Sequence, residues 1–257
     1  MNYREYGTGN AEHILLLHGG GLSWWNYRAE AELLQGEYHV ILPLLDGHAG
    51  SGRSFTSIED NAAEIVSFID GTLGGSVSAI GGLSLGGQVL LEILAMRGDI
   101  CRYALVESAC VIPSPLACAL TGPALAMSWP LVRNRRFSRL QFDALHIRED
   151  LFEDYYRDTC LISREDMAAF LRASSAWSAG ESLRESLGGC RAQVQVLAGG
   201  KEGRRMLRSA CLIHEMIPGS TLNIMRGRFH GELSLNYPDE YVAILRGMMG
   251  KNDSKLL

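Results

Sequence analysis

Gly82-Leu83-Ser84-Leu85-Gly86 has the residue types and spacing that turn a serine hydroxyl into a nucleophile. In a chain with 29 glycines so short a pattern needs support from other residues. A hydroxyl attacks a carbonyl when a base takes its proton, an acid orients the base and two N–H groups hold the developing oxyanion. Among seven histidines, His230 is the base expected, because it follows the last strand candidate and precedes Gly231-Glu232. His48, in Leu45-Asp46-Gly47-His48, competes but comes before the serine. Glu202, in Ala198-Gly199-Gly200-Lys201-Glu202-Gly203, follows the penultimate strand candidate and gives the chain order serine, acid, histidine. Glu107, at the end of the strand after the nucleophile, is the substitute for it. His18-Gly19-Gly20-Gly21 leaves bare backbone where a substrate carbonyl could approach, so the Gly20 N–H, with Gly21 as near alternative, would join that of Leu85 as an oxyanion donor.

These residues are useful only if strands and helices bring them to one place. The serine lies between Ser76-Val77-Ser78-Ala79-Ile80, short and partly β-branched like a buried strand, and Gln88–Met96, whose Val89, Leu90, Ile93 and Leu94 recur at helical spacing. Upstream, a strand over residues 12–17 ends at the glycine run, a helix over 27–34 follows, and a second strand runs over 38–42. Ser57-Ile58-Glu59-Asp60 reads as a capping box for a helix with Ile58, Ala62, Ile65 and Ile69 on one face. Downstream come strands at 103–106, 193–198 and 221–225, a helix after Arg204 and a closing helix over 238–249. Short apolar strands alternating with amphipathic helices predict an α/β fold, a mostly parallel doubly wound sheet. From Pro113 to Gly188 strand signals vanish, so residues 113–188 read as an inserted helical cap on a core made of 1–112 and 189–257.

Composition narrows the function classes. The chain has 257 residues, 47% hydrophobic and 21% charged, with a formal net charge of −5 and no long basic stripe, which argues against nucleic-acid binding. Six cysteines without a C-x-x-C pair, and an N-terminus without an apolar leader, predict a soluble cytoplasmic protein. The most lipid-like stretch, 109–132, holds Pro113, Pro115, Pro123 and Pro130, expected to break any spanning helix, so no membrane partner is expected. The acidic residues Glu149, Asp150, Glu153, Asp154 and Asp158 lack a histidine or a calcium-loop glycine and read as a helix surface, so no metal is expected. The glycines around Ser84 do not fit a dinucleotide fingerprint.

Taken together, His18-Gly19-Gly20-Gly21, Gly82-Leu83-Ser84-Leu85-Gly86, Glu202 and His230 resemble the α/β-hydrolase superfamily over nearly the whole chain. The resemblance implies a serine hydrolase: Ser84 as nucleophile, His230 as base, Glu202 as orienting acid, Gly20 and Leu85 as oxyanion donors, and no cofactor. Two positions depart from the family: its acid is usually aspartate, and its loop after the second strand is respaced here in Pro43-Leu44-Leu45-Asp46-Gly47-His48. The glycine run followed by Trp24-Trp25-Asn26-Tyr27 also looks like the loop of carbon–carbon bond hydrolases that cleave dienoate acids. On that variant Arg133, Arg135, Arg136 and Arg139 could meet a substrate carboxylate, or form a solvated helix face. Gly21 and Trp24 are the expected substrate-binding residues, Trp24 lining the acyl pocket or packing under the cap. The expected partner is a small molecule, an ester or related acyl compound for a carboxylic ester hydrolase. The alternatives are the dienoate-type acid or a non-catalytic ligand binder of the same fold, and the chain could form a homo-oligomer.

Overall fold

A computed structural model describes residues 1–250, so 251–257 of the expected core segment lie outside the described residues. Seven strands, β1 (Tyr3–Tyr6), β2 (His13–Leu17), β3 (His39–Pro43), β4 (Val77–Leu83), β5 (Cys101–Glu107), β6 (Gln193–Gly199) and β7 (Thr221–Met225), form one sheet. Their order is β1-β3-β2-β4-β5-β6-β7, and every neighbouring pair is parallel except the antiparallel edge pair β1–β3. This is the α/β-hydrolase fold. Along β2 the side chains alternate between two cores, Leu15 and Leu17 into one and Ile14 and Leu16 into the other.

Helices cover both faces. On one side α2 (Ile58–Thr72) and α3 (Leu85–Met96) pack against each other, burying Ile58, Ala62, Ile65 and Ile69. Ser57 caps α2, its hydroxyl accepting from the Asp60 N–H at 2.9 Å. On the other side α1 (Arg28–Leu34) packs on the closing helix.

Between β5 and β6, adjacent in the sheet, the chain makes five helices: α4 (Pro115–Val132), α5 (Arg135–Ala144), α6 (Phe152–Leu161), α7 (Arg164–Ala176) and α8 (Glu181–Gly188). The remainder is α9 (Arg204–Met216), a short α10 (Glu232–Asn236) and the closing α11 (Pro238–Met248).

Three differences from the sequence reading have local causes. Strand β1 was not anticipated, because Tyr3-Arg4-Glu5-Tyr6 is a short polar edge whose pairing comes from β3. Strand β4 continues through Gly81 and Gly82, residues of poor strand propensity that are held by pairing on both sides. The prolines do not break the lipid-like stretch: α4 begins with Pro115 in its first turn and runs on through Pro123 and Pro130. Among the described residues α4 is the one helix long and apolar enough, by length and composition, to cross a membrane.

Candidate active site

Ser84 sits at the junction of β4 and α3 with φ 53° and ψ −109°, a left-handed value that a residue with a Cβ adopts only under constraint. Its N–H donates to the Glu107 carbonyl at 2.8 Å, so the turn is fastened to β5. The turn closes only because its neighbours lack side chains: a Cβ on Gly82 would overlap the Gly86 carbonyl, and one on Gly86 the carbonyls of Leu17 and His18. The same tight packing sets the start of α3 beside the end of β2. A Cβ built on Gly20 would lie 3.6 Å from that of Leu85.

The glycine loop after β2 is fixed by three hydrogen bonds, two of them between distant segments. Gly19 N–H donates to Asn26 Oδ1 at 3.2 Å, Gly21 N–H to His48 Nε2 at 3.0 Å, and Leu45 N–H to His18 Nε2 at 3.2 Å. His18 and His48 are buried, and burial pulls their pKa values down to about 3 and about 4. Both rings are therefore neutral acceptors at physiological pH. Gly21 spends its N–H on His48, whereas the exposed Gly20 N–H has no acceptor among the described residues. Leu85 is the first residue of α3, where N–H groups lack intrahelical partners. Of the two glycines, Gly20 is thus the one with a donor to spare next to Leu85.

His230 follows β7, with its side chain 44% exposed. The next residue, Gly231, packs on Leu83, the residue before Ser84, which brings the histidine loop to the end of β4. His230 Nδ1 lies 2.9 Å from Glu202 Oε2. Glu202 is almost wholly buried, and its other oxygen accepts from the Ser108 hydroxyl at 2.7 Å and the Gly199 N–H at 2.6 Å. Burial pushes the Glu202 carboxyl up, but bonds from His230, Ser108 and Gly199 outweigh it and hold the pKa below the ordinary carboxylate value. An ionised Glu202 accepts a proton-bearing Nδ1, leaving Nε2 as the basic nitrogen.

Glu107, the substitute acid, is buried and accepts from the Ser234 N–H at 3.4 Å instead of reaching His230. Burial raises its pKa to about 7, partly offset by Ser234. Ser108 is a residue that the sequence did not single out. It holds φ 53°, donates to Glu202 and accepts from Gly231 N–H at 3.4 Å, so it couples the acid to the histidine loop.

A cavity of about 170 Å³ opens beside the glycine loop. Gly20, Gly21 and Leu22 line one wall, and Leu125, Tyr155 and Phe170 of the inserted helices line the other. Trp24 is not among its lining residues. It stands in a 3-10 turn, Trp24–Tyr27, that sends Trp25 inward to bond Asp158 at 2.9 Å. Trp24 is thereby turned out against Arg4 and Arg28, lining a groove with Arg157 and Leu161 at the edge of the insertion. Of the arginine cluster, Arg135 pairs with Glu153, and Arg139 pairs with Asp143 and Glu149. The acidic residues of α6 are engaged likewise, Asp154 with Arg28 and Asp158 with Arg157. No group of three or more metal-ligating side chains occurs among the described residues.

Comparison with known proteins matches residues 14–243 to the model of the "Alpha/beta hydrolase family". No curated protein matches the sequence. Similar solved structures include a thermophilic esterase from Thermogutta terrifontis, 19% identical, with a TM-score of 0.76 over 97% of this chain and 93% of that one. The enol-lactonase from Burkholderia xenovorans LB400 is 16% identical, TM-score 0.76, covering 97% and 96%. The meta-cleavage product hydrolase from Pseudomonas fluorescens IP01 is 15% identical, TM-score 0.77, covering 97% and 94%. At such identities the likeness is one of fold.

Proposed function

The chain belongs to the alpha/beta hydrolase family, and from that premise we propose that it is a serine hydrolase cleaving a small ester or related acyl compound. The observation that carries the proposal is the bond from His230 Nδ1 to the buried Glu202, in a loop packed against the turn that holds Ser84. Ser84 Oγ attacks the carbonyl carbon while His230 Nε2 takes its proton. Glu202 remains ionised, fixes the imidazole tautomer and stabilises the imidazolium. The N–H groups of Gly20 and Leu85 receive the oxyanion. The leaving alkoxide takes the proton from His230, and water deprotonated by His230 then releases the acid from Ser84.

Ester cleavage is preferred over carbon–carbon cleavage of a dienoate acid because the cavity beside Gly20 is mostly apolar and no arginine lines it. The inserted helices act as its cap. A fluorophosphonate probe read by intact mass tests the reading. Rapid single labelling of the native chain, absent in Ser84→Ala, is expected, together with turnover of short nitrophenyl esters. Folded native protein that takes no label would make it a ligand binder. Turnover confined to a vinylogous diketone acid would make it a carbon–carbon hydrolase.

A further inference from the structure

Helix α4 has its polarity reversed for a surface helix. Every exposed residue along it is apolar, and Leu116, Leu120, Pro123, Met127 and Leu131 trace one stripe at spacings of three and four. Leu116, Leu120 and Met127 are 70%, 53% and 80% exposed. Its hydroxyls, on Thr121 and Ser128, lie on the other face, only partly exposed, and bond back to the carbonyls of Ala117 and Ala124. That face packs on α7. A contiguous exposed apolar face marks an interaction surface.

Charge identifies the occupant. From Pro113 to Phe142 there is no acidic residue, and the C-terminal end of α4 runs directly into Arg133, Arg135, Arg136 and Arg139. Arg135 and Arg139 are neutralised by acids of the following segment, but the exposed Arg133 and Arg136 side chains have no acidic partner among the described residues. An apolar stripe ending in unpaired arginines fits lipid tails bordered by anionic headgroups. A parallel two-fold pairing of α4 would set the same unpaired cations against themselves, and an antiparallel one would leave them facing the partner's uncharged N-terminal end, with no acidic residue to meet them. Pro123 and Pro130 lack the N–H groups that would satisfy the carbonyls of Ala119 and Ala126, so the helix suits the headgroup boundary, where water reaches it, better than the bilayer centre.

We infer that the outer face of α4 docks the protein on the surface of an anionic bilayer, the helix lying in the interface without crossing it. This departs from the sequence expectation of no membrane partner and goes beyond the hydrolase reading, since binding requires no chemistry at Ser84.

Flotation of the full chain with vesicles tests it, using phosphatidylcholine alone and phosphatidylcholine mixed with phosphatidylglycerol. The native chain is expected to float with the mixed vesicles and less with phosphatidylcholine, and added salt should weaken its hold. Leu120→Glu with Met127→Glu changes side chains already in solvent, so circular dichroism should match the native chain while vesicle affinity falls at least about tenfold. Arg133→Glu with Arg136→Glu should cost about fivefold or more per arginine on mixed vesicles and little on phosphatidylcholine. The inference is overturned if the native chain floats with neither composition, or if folded variants float as the native chain does. A dimer that Leu120→Glu with Met127→Glu dissolves, without flotation, would assign the face to a second copy and overturn it too.

Discussion

Glu202 is held by three donors, and each prefers it ionised. Its lowered pKa gives stability that is present above the unfolded carboxylate value and lost as pH falls through the folded one. Glu202→Gln keeps the shape but removes the charge and can favour the wrong imidazole tautomer. Its kcat on a short ester should fall by about 10³- to 10⁴-fold in steady-state assays, and the melting temperature near neutral pH should fall too, because the three donors lose a charged acceptor. Glu107 behaves in the opposite sense. Its pKa is raised to about 7 by burial beside Tyr27, Glu30 and Tyr241, so the folded chain holds this proton more tightly than the unfolded one. Stability is therefore intact below the ordinary carboxylate range and is lost as pH rises from there to about 7. Glu107→Gln fixes the neutral form. Melts across pH should show a gain over the native chain that grows up to about pH 7 and is constant above it. Ser84, His230 and Glu202 are candidates in the sequence because each follows a recognisable strand, and the fold brings two of them, His230 and Glu202, into a hydrogen bond. Ser108 could not be picked out, since its bond to Glu202 joins segments far apart in the chain, and no local pattern announces the bond by which His48 accepts from Gly21.

At the scale of elements, the meeting of β2, β4 and α3 is the tightest fit near the site. Gly86→Ala would press a methyl group onto the carbonyls of Leu17 and His18 and move the start of α3 away from Gly20. A loss of about 1–3 kcal/mol in denaturant melts is expected, with a proportionally larger loss of kcat, because the Leu85 and Gly20 donors would separate. The alternation of apolar runs with helical faces was sufficient to read six of the seven strands from sequence. It failed for β1, where pairing supplies what side-chain pattern lacks, and for the continuity of α4. Proline costs a helix one hydrogen bond and a steric adjustment, and packing on α7 outweighs that here. Trp24 and Trp25 are neighbours with opposite fates, and only the 3-10 turn decides which one faces inward.

For the whole molecule, the proposed function makes the cavity beside the glycine loop the space for the acyl group. A cavity of about 170 Å³ at Gly20 and Gly21 holds roughly five or six heavy atoms, at about 30 Å³ for each water-sized group. Across a nitrophenyl ester series, kcat/KM should peak for short acyl chains and fall beyond that length. A flat profile would mean that the acyl group lies elsewhere. The insertion also has a consequence for assembly. Strands β5 and β6 are partners, yet residues 108–192 lie between them, so β1–β5 can pair while the last quarter of the chain, from β6 onward, is still emerging from the ribosome. Doubling a connecting loop adds only about 0.6 kcal/mol of closure entropy, so the late docking of β6 and β7 is slow but thermodynamically cheap. Glu202 and His230 both arrive with that docking. During synthesis the serine turn can thus be complete before His230 and Glu202 reach it, and under the proposed mechanism the nascent chain stays chemically silent until that late segment has docked.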